Sequence, residues 1–207
     1  MLSPELPLEE QIREIKRMLR TVMNGMVSGS MRRQGLTYRV NFGVDQPRLL
    51  EIAQEMPHTA ELALALRKEN IRELRLLASI LYPREEMDEE MALLWIEELE
   101  FAEEAQVFVL HLLHYLPFAS DIAFRLIASE RPMDRLTGWL LLGRLFMDGF
   151  RPVQRDADEV LDHLETELRT KRNDREVQRT ALNTLYKFMD LGEAEAARGE
   201  RILQALG

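Results

Sequence analysis

Apolar residues recur at intervals of three and four along most of this chain, the period of an amphipathic helix. Ile12, Ile15, Leu19, Val22 and Met26 form one such stripe. Ile71, Leu74, Leu77, Ala78 and Leu81 form a second, and Val160, Leu161, Leu164 and Leu168 a third. Breakers stand between the stripes: Gly43, Pro57, Pro83, Pro117, Pro132, Pro152 and Gly192. Asp45 ahead of Pro47, and Ser120 and Asp134, supply capping chemistry near helix starts. One stretch, Leu36 to Val44, is β-flavoured and lies between two helical patterns. The pattern predicts an all-α chain of about ten or eleven helices joined by short turns.

Two segments are apolar almost all round, Val107 to Leu116 and Leu136 to Phe146. Helices of that kind are flanked on several sides. Taken in order, the helices pair over 46–69, 70–100, 101–131, 132–172 and 173–206. Successive antiparallel pairs predict an α-solenoid of HEAT-like repeats, with a compact irregular bundle as the alternative. A single helical domain over residues 1–207 is expected, with 1–34 an N-terminal helical segment and 35–207 the repeats.

Composition narrows the classes. The 207 residues are 46% hydrophobic and 30% charged, which excludes disorder and collagen-like repeats. Cysteine is absent, which removes a disulfide scaffold, a thiol nucleophile and thiolate metal sites. The start, Met1 to Glu5, is acidic and proline-broken, unlike a signal peptide. The longest uncharged run, Ala105 to Ser120, contains two His and a Pro and falls short of a membrane span. A cytoplasmic monomer with no membrane association is expected.

Net charge changes the picture once it is located. The total is -9, and residues 81–110 carry Arg84 alone against ten acids from Glu85 to Glu104. The rest of the chain is neutral and contains basic clusters: Arg13, Lys16, Arg17 and Arg20; Arg32, Arg33 and Arg39; Arg67, Lys68, Arg72 and Arg75; Arg169, Lys171, Arg172, Arg175 and Arg179. Phosphate binding responds to the local field, so the acidic total does not exclude nucleic acid. The alternative reading of each cluster is the solvated face of a helix.

Candidate chemistry is sparse. His111 and His114 are three apart on one helical face but have no acid within three residues. They are read as buried or half-buried histidines with backbone partners, and neither metal nor cofactor is expected. There is no glycine-rich phosphate loop and no nucleophile elbow. In the acidic block 85–104, Glu97, Glu100 and Glu104 share a face, read as solvated or as a docking surface for a basic protein partner. Tyr38, Phe42, Trp95, Phe101 and Trp139 are assigned to the core.

Several words of the sequence resemble one family. Gly35-Leu36 leads into Tyr38-Arg39-Val40-Asn41-Phe42-Gly43-Val44, followed by Pro47-Arg48-Leu49 and Ile52-Ala53. Leu62 to Leu66, then Glu69-Asn70-Ile71-Arg72-Glu73 and Leu76-Leu77-Ala78, continue the likeness, as does Arg135 with Leu136-Thr137-Gly138-Trp139. Over residues 35–190 the chain resembles the DNA alkylation repair enzymes, the HEAT-like-repeat alkylpurine DNA glycosylases. The resemblance implies a right-handed α-solenoid with a concave basic face for duplex DNA. It also implies, for active members, hydrolysis of the N-glycosidic bond of cationic alkylated purines. There a carboxylate beside the sugar stabilises oxocarbenium character and positions a water.

The catalytic pattern falls on Phe101-Ala102-Glu103-Glu104-Ala105-Gln106. Phe101 and Glu103 keep the first aromatic and first acid, but the second aromatic is Ala102 and the catalytic Asp is Gln106. A later Trp is replaced by Asn183 and another aromatic by Arg67. The resemblance leaves Arg135 as the expected DNA-facing residue. Arg39, Arg72, Arg75, Arg172, Arg175 and Arg179 are further candidate phosphate contacts, with Lys16, Arg32 and Arg33. Arg144, nine residues beyond Arg135, falls on the opposite helix face. The implied function is DNA binding with glycosylase activity lost or altered; the alternatives are an active glycosylase using Glu103 and a protein-interaction scaffold.

Overall fold

Helices form where the spacing of apolar residues places them. The computed structural model describes residues 2–170 and 174–206. In chain order the helices are α1 (Leu8–Thr21), α2 (Gly25–Arg33), α3 (Gln46–Ala53), α4 (Ala60–Arg67), α5 (Arg72–Leu81), α6 (Glu89–Glu97) and α7 (Ala102–His111). They continue as α8 (Ala119–Ile127), α9 (Pro132–Met147), α10 (Gln154–Arg169), α11 (Arg175–Met189) and α12 (Glu193–Leu206). Each helix from α3 onward falls inside the expected pair boundaries, and the seven breakers lie between helices or at a first turn. The described residues contain no strand; Leu36 to Val44 runs extended and makes one isolated parallel bridge, between Val40 and Ile71.

Three local readings are corrected. The stripe from Ile12 to Met26 is two helices, because Asn24 accepts from the amides of Met26 and Val27 and starts α2. Val107 to Leu116 is not one helix: α7 ends at His111, Leu112 leaves helical geometry, and Leu113–Tyr115 form a 3₁₀ turn. Asp45 does cap α3, accepting from the Arg48 amide at 2.9 Å, but Ser120 and Asp134 lie inside α8 and α9. Asp134 instead accepts from the Ser129 hydroxyl at 2.8 Å, placing a negative charge at the positive end of α9.

The chain divides after Asp88 into two compact units. In the first, α3 and α4 pack on α5, and α1 packs on α4. Leu49, Leu62, Leu66, Leu74, Leu77 and Leu81 are fully buried there. In the second, α9 is the central element, as its all-round apolar sequence predicts. It packs against α7, α8 and α11 and buries Trp139 completely.

Two glycines allow that close approach. A Cβ on Gly138 meets the backbone nitrogen of Ile127 and the Leu126 Cβ at 2.9 Å, and one on Gly143 meets the Thr184 hydroxyl oxygen at 2.9 Å. Alanine is the better helix former by about 1 kcal/mol, yet overpacking against backbone costs about 1–3 kcal/mol. Gly138→Ala is therefore expected to lower the urea midpoint of unfolding with an unchanged denaturant slope; an increase would contradict this packing.

Candidate nucleic-acid interface

In the second unit, α7, α9 and α11 run side by side in one direction. Arg131, just ahead of α9, donates to the carbonyls of Ile96 and Leu99, which lead into α7. At the far end, His114, just after α7, sets Nδ1 2.7 Å from Asp148, which ends α9. Between α9 and α11, Arg135 reaches Asp174 at the first end, and the Thr184 hydroxyl donates to the Trp139 carbonyl farther along. Both α7 and α11 thus run parallel to α9, with their ends aligned to its ends.

The catalytic positions expected from the family resemblance lie on α7. Phe101 precedes its first turn and is half-buried, Glu103 is half-buried, and Gln106 is exposed. Gln106 and Leu110, one turn apart, form the exposed stripe of α7 and carry no carboxylate. Glu104 departs from the solvated face expected for the acidic block. It is buried, and its carboxylate accepts from the Glu100 amide at 3.1 Å, holding the turn into α7. Glu85, Glu86, Asp88, Glu89, Glu90, Glu97, Glu98 and Glu100 are exposed.

The arginines separate into two kinds. Arg135 is only 3% exposed. Its guanidinium donates to Glu167 at 2.8 Å, to Asp174 at 2.7 Å, and to the carbonyls of Ser129 and Glu130. Arg72 is also internal, donating to the Val44 carbonyl at 2.8 Å and pairing with Glu73 at 3.1 Å. The reading of these two as phosphate contacts is revised: their charges are spent inside the fold. Arg75 is half-buried, and Arg67, where the resemblance expects an aromatic, is buried. Arg39, Arg175 and Arg179 are exposed. Arg172 lies outside the described residues.

The sequence reading set Arg144 aside in favour of Arg135 and passed over Lys187, and the structure brings the two together. Nine residues beyond the buried Arg135, Arg144 falls on the other side of α9, where it is half-exposed and pairs with Asp148 at 3.0 Å. Asp148 is shared with His114, whose Nε2 lies 3.1 Å from the Leu110 carbonyl. This is the backbone-partnered histidine expected from the sequence.

Lys187 extends toward Gly143 of α9, its ammonium 3.2 Å from where a Cβ would sit. Burial, and then the Arg144 guanidinium, hold the Lys187 ammonium below the usual lysine pKa. Like charges held together in this way attract an anion. Along α11, Arg175, Arg179, Asn183 and Lys187 follow at intervals of four, a rise of about 6 Å per step. Among the described residues, no carboxylate pairs with Arg175, Arg179 or Lys187. The signal available in sequence was that four-residue spacing on one helix.

Helical pairs of this kind define a HEAT-like repeat fold. A solved structure shares it, that of a family of proteins related to the HEAT-like repeat DNA glycosylases with affinity for branched DNA structures. The TM-score is 0.82 at 18% sequence identity, over 94% of this chain and 83% of the other. No family model matches the chain, and no curated protein matches it in sequence.

Proposed function

We propose that this protein binds DNA, branched or otherwise distorted duplexes above all, as a divergent relative of the HEAT-like-repeat alkylpurine DNA glycosylases that does not excise a base. The observation that carries this reading is the ladder of cations on α11, with Arg144 beside Lys187, on a fold shared with a family that has affinity for branched DNA. Each exposed cation that meets a phosphate releases condensed counterions, which is where most of the binding free energy originates. Glycosylase chemistry needs a carboxylate at the sugar to stabilise oxocarbenium character, and Gln106 carries no charge.

Fluorescence anisotropy with labelled linear and three-way-junction DNA tests the reading. Affinity should fall steeply with salt, and Arg144→Ala or Lys187→Ala should weaken binding to every sequence. Each should lower the salt slope by about one. Lys187→Ala should leave the unfolding midpoint unchanged or raised, because the ammonium it removes is poorly solvated and faces a like charge. The sign with pH follows from the lowered pKa. Lys187 loses its proton at a lower pH than an ordinary lysine, so its share of binding disappears earlier as pH rises. No binding even at low salt would sink the proposal. Release of alkylated purine from treated duplex, abolished by Glu103→Gln, would establish the glycosylase alternative; none above the spontaneous rate is expected.

A further inference from the structure

The N-terminal unit contains a helix that the fold does not use for its core. None of the nine residues of α2 is buried. It is moored along one edge by hydrogen bonds, and the Asn41 side-chain amide also donates to the Met31 sulfur at 3.4 Å. The Asn24 amide donates to the Phe42 carbonyl at 2.8 Å, and the Ser28 hydroxyl donates to the Asn41 carbonyl at 2.8 Å. Gly43, at φ 72°, lets the two segments touch, since a Cβ there would lie 2.2 Å from the Asn24 carbonyl oxygen. A nine-residue helix without an apolar face in a core contributes little to stability.

What α2 offers to solvent is specific in character. Met26 is 85% exposed and Met23, just before the helix, 59%. Met26, Gly29, Ser30 and Arg33 lie at helical spacing on one face. The Arg33 guanidinium lies back along that face, 3.6 Å from where a Gly29 Cβ would be. No acidic residue occurs between Glu14 and Asp45, while Lys16, Arg17, Arg20, Arg32, Arg33 and Arg39 all fall there. Lys16 pairs with Glu69 and Arg17 with Glu14, both carboxylates lying outside that window. Arg20, Arg32, Arg33 and Arg39 are exposed, and no carboxylate among the described residues pairs with them.

We infer that α2 is a second DNA contact, in which Met26 and Met23 press into an unstacked base step while Arg20, Arg32, Arg33 and Arg39 hold the flanking phosphates. The inference rests on the DNA-binding reading but uses none of the residues that carry it. Charge complementarity names the occupant: exposed cations that no described carboxylate pairs with suit a polyanion. Two flexible apolar side chains among them suit the gap between bases, a role that methionine serves as a wedge in bent DNA. A membrane surface suits α2 less well, because Met23 and Met26 provide too little apolar area for stable insertion. Unstacking costs least where the duplex is already interrupted, so the contact favours an unpaired nucleotide or a junction over a continuous duplex.

The test compares wild type, Met23→Ala/Met26→Ala and Arg32→Ala/Arg33→Ala on three labelled DNAs: a linear duplex, the same duplex with one unpaired nucleotide, and a three-way junction. The methionine pair should lower affinity for the two interrupted DNAs by roughly tenfold, about what burying one methionine side chain is worth, and leave the linear duplex nearly unchanged. The arginine pair should weaken all three and reduce the salt slope by about two. Melting temperatures should not move, since all four side chains are exposed. If wild type binds DNA and the methionine pair keeps the full preference for interrupted DNA, this inference fails while the α11 reading stands. If wild type binds none of the DNAs, both fail. If the methionine pair instead abolishes binding to phosphatidylserine vesicles with the DNA preference intact, α2 belongs to a membrane surface and the DNA assignment is overturned.

Discussion

Arg135→Ala should cost about 3–5 kcal/mol of folding stability, the usual consequence of leaving a buried ion without its partner. Its side chain is 4% exposed and that of Glu167 5% exposed, so the carboxylate left behind has little access to water. One guanidinium joins four places: the two carbonyls of the turn between α8 and α9, Glu167 near the end of α10, and Asp174 just ahead of α11. Removing it loosens the start of α9 from α10 and from the start of α11 together.

Urea unfolding should show a lower midpoint with a similar slope. The double variant Arg135→Ala/Glu167→Met should recover much of the loss, because the unpaired charge has gone with its partner. A loss below about 1 kcal/mol for the single variant would mean that Glu167 finds water or another cation, and the internal role of Arg135 would be wrong. Arg144→Ala should behave oppositely, affecting DNA affinity far more than stability. The two arginines of α9 are thereby separable by experiment.

Glu73→Ala is expected to be comparably severe, at about 3–5 kcal/mol. Glu73 is completely buried, and one carboxylate oxygen accepts from the Phe42 amide at 3.1 Å. The other accepts from the Val44 amide at 3.2 Å and from Arg72 at 3.1 Å. The variant leaves a buried guanidinium and two backbone donors without that acceptor. Glu73→Gln should recover only part of the loss, since its NH₂ group faces a donor where an acceptor is needed.

Hydrogen exchange offers a local readout: the amides of Phe42 and Val44 should lose protection before those of α5 do. Because the Phe42 and Asn41 carbonyls also moor α2, the same variant should reduce any preference for interrupted DNA. Full protection of both amides in Glu73→Ala would show that the segment is held by other means.

Helix positions were readable because they depend on contacts three and four residues apart. The breakers divided the chain correctly, and the apolar Leu136–Phe146 run announced a helix enclosed by others. Errors arose where a single polar group overrides a stripe. Asn24 splits what reads as one amphipathic helix, and His114, turning back onto the Leu110 carbonyl, accompanies the break after α7. The family words near Leu36–Val44 and Arg72-Glu73 described a real unit. In it, a peptide segment that looks like a strand finds its hydrogen-bond partners in the first turn of α5 rather than in a sheet.

The destination of each charge could not be read in the same way. Arg135 and Arg144 are alike in sequence, both on α9 and each followed directly by a leucine. One is enclosed because Glu167 and Asp174, more than thirty positions away, come to meet it. The other is left facing outward beside Lys187, and the repulsion between them is registered only because α11 lies against Gly143. Spacing along a chain reports which face a residue occupies, because helix geometry is local. Whether that face is water, carboxylate or another cation depends on segments far away in sequence, so the partition of arginines into structural and available ones belongs to the packing of the helices.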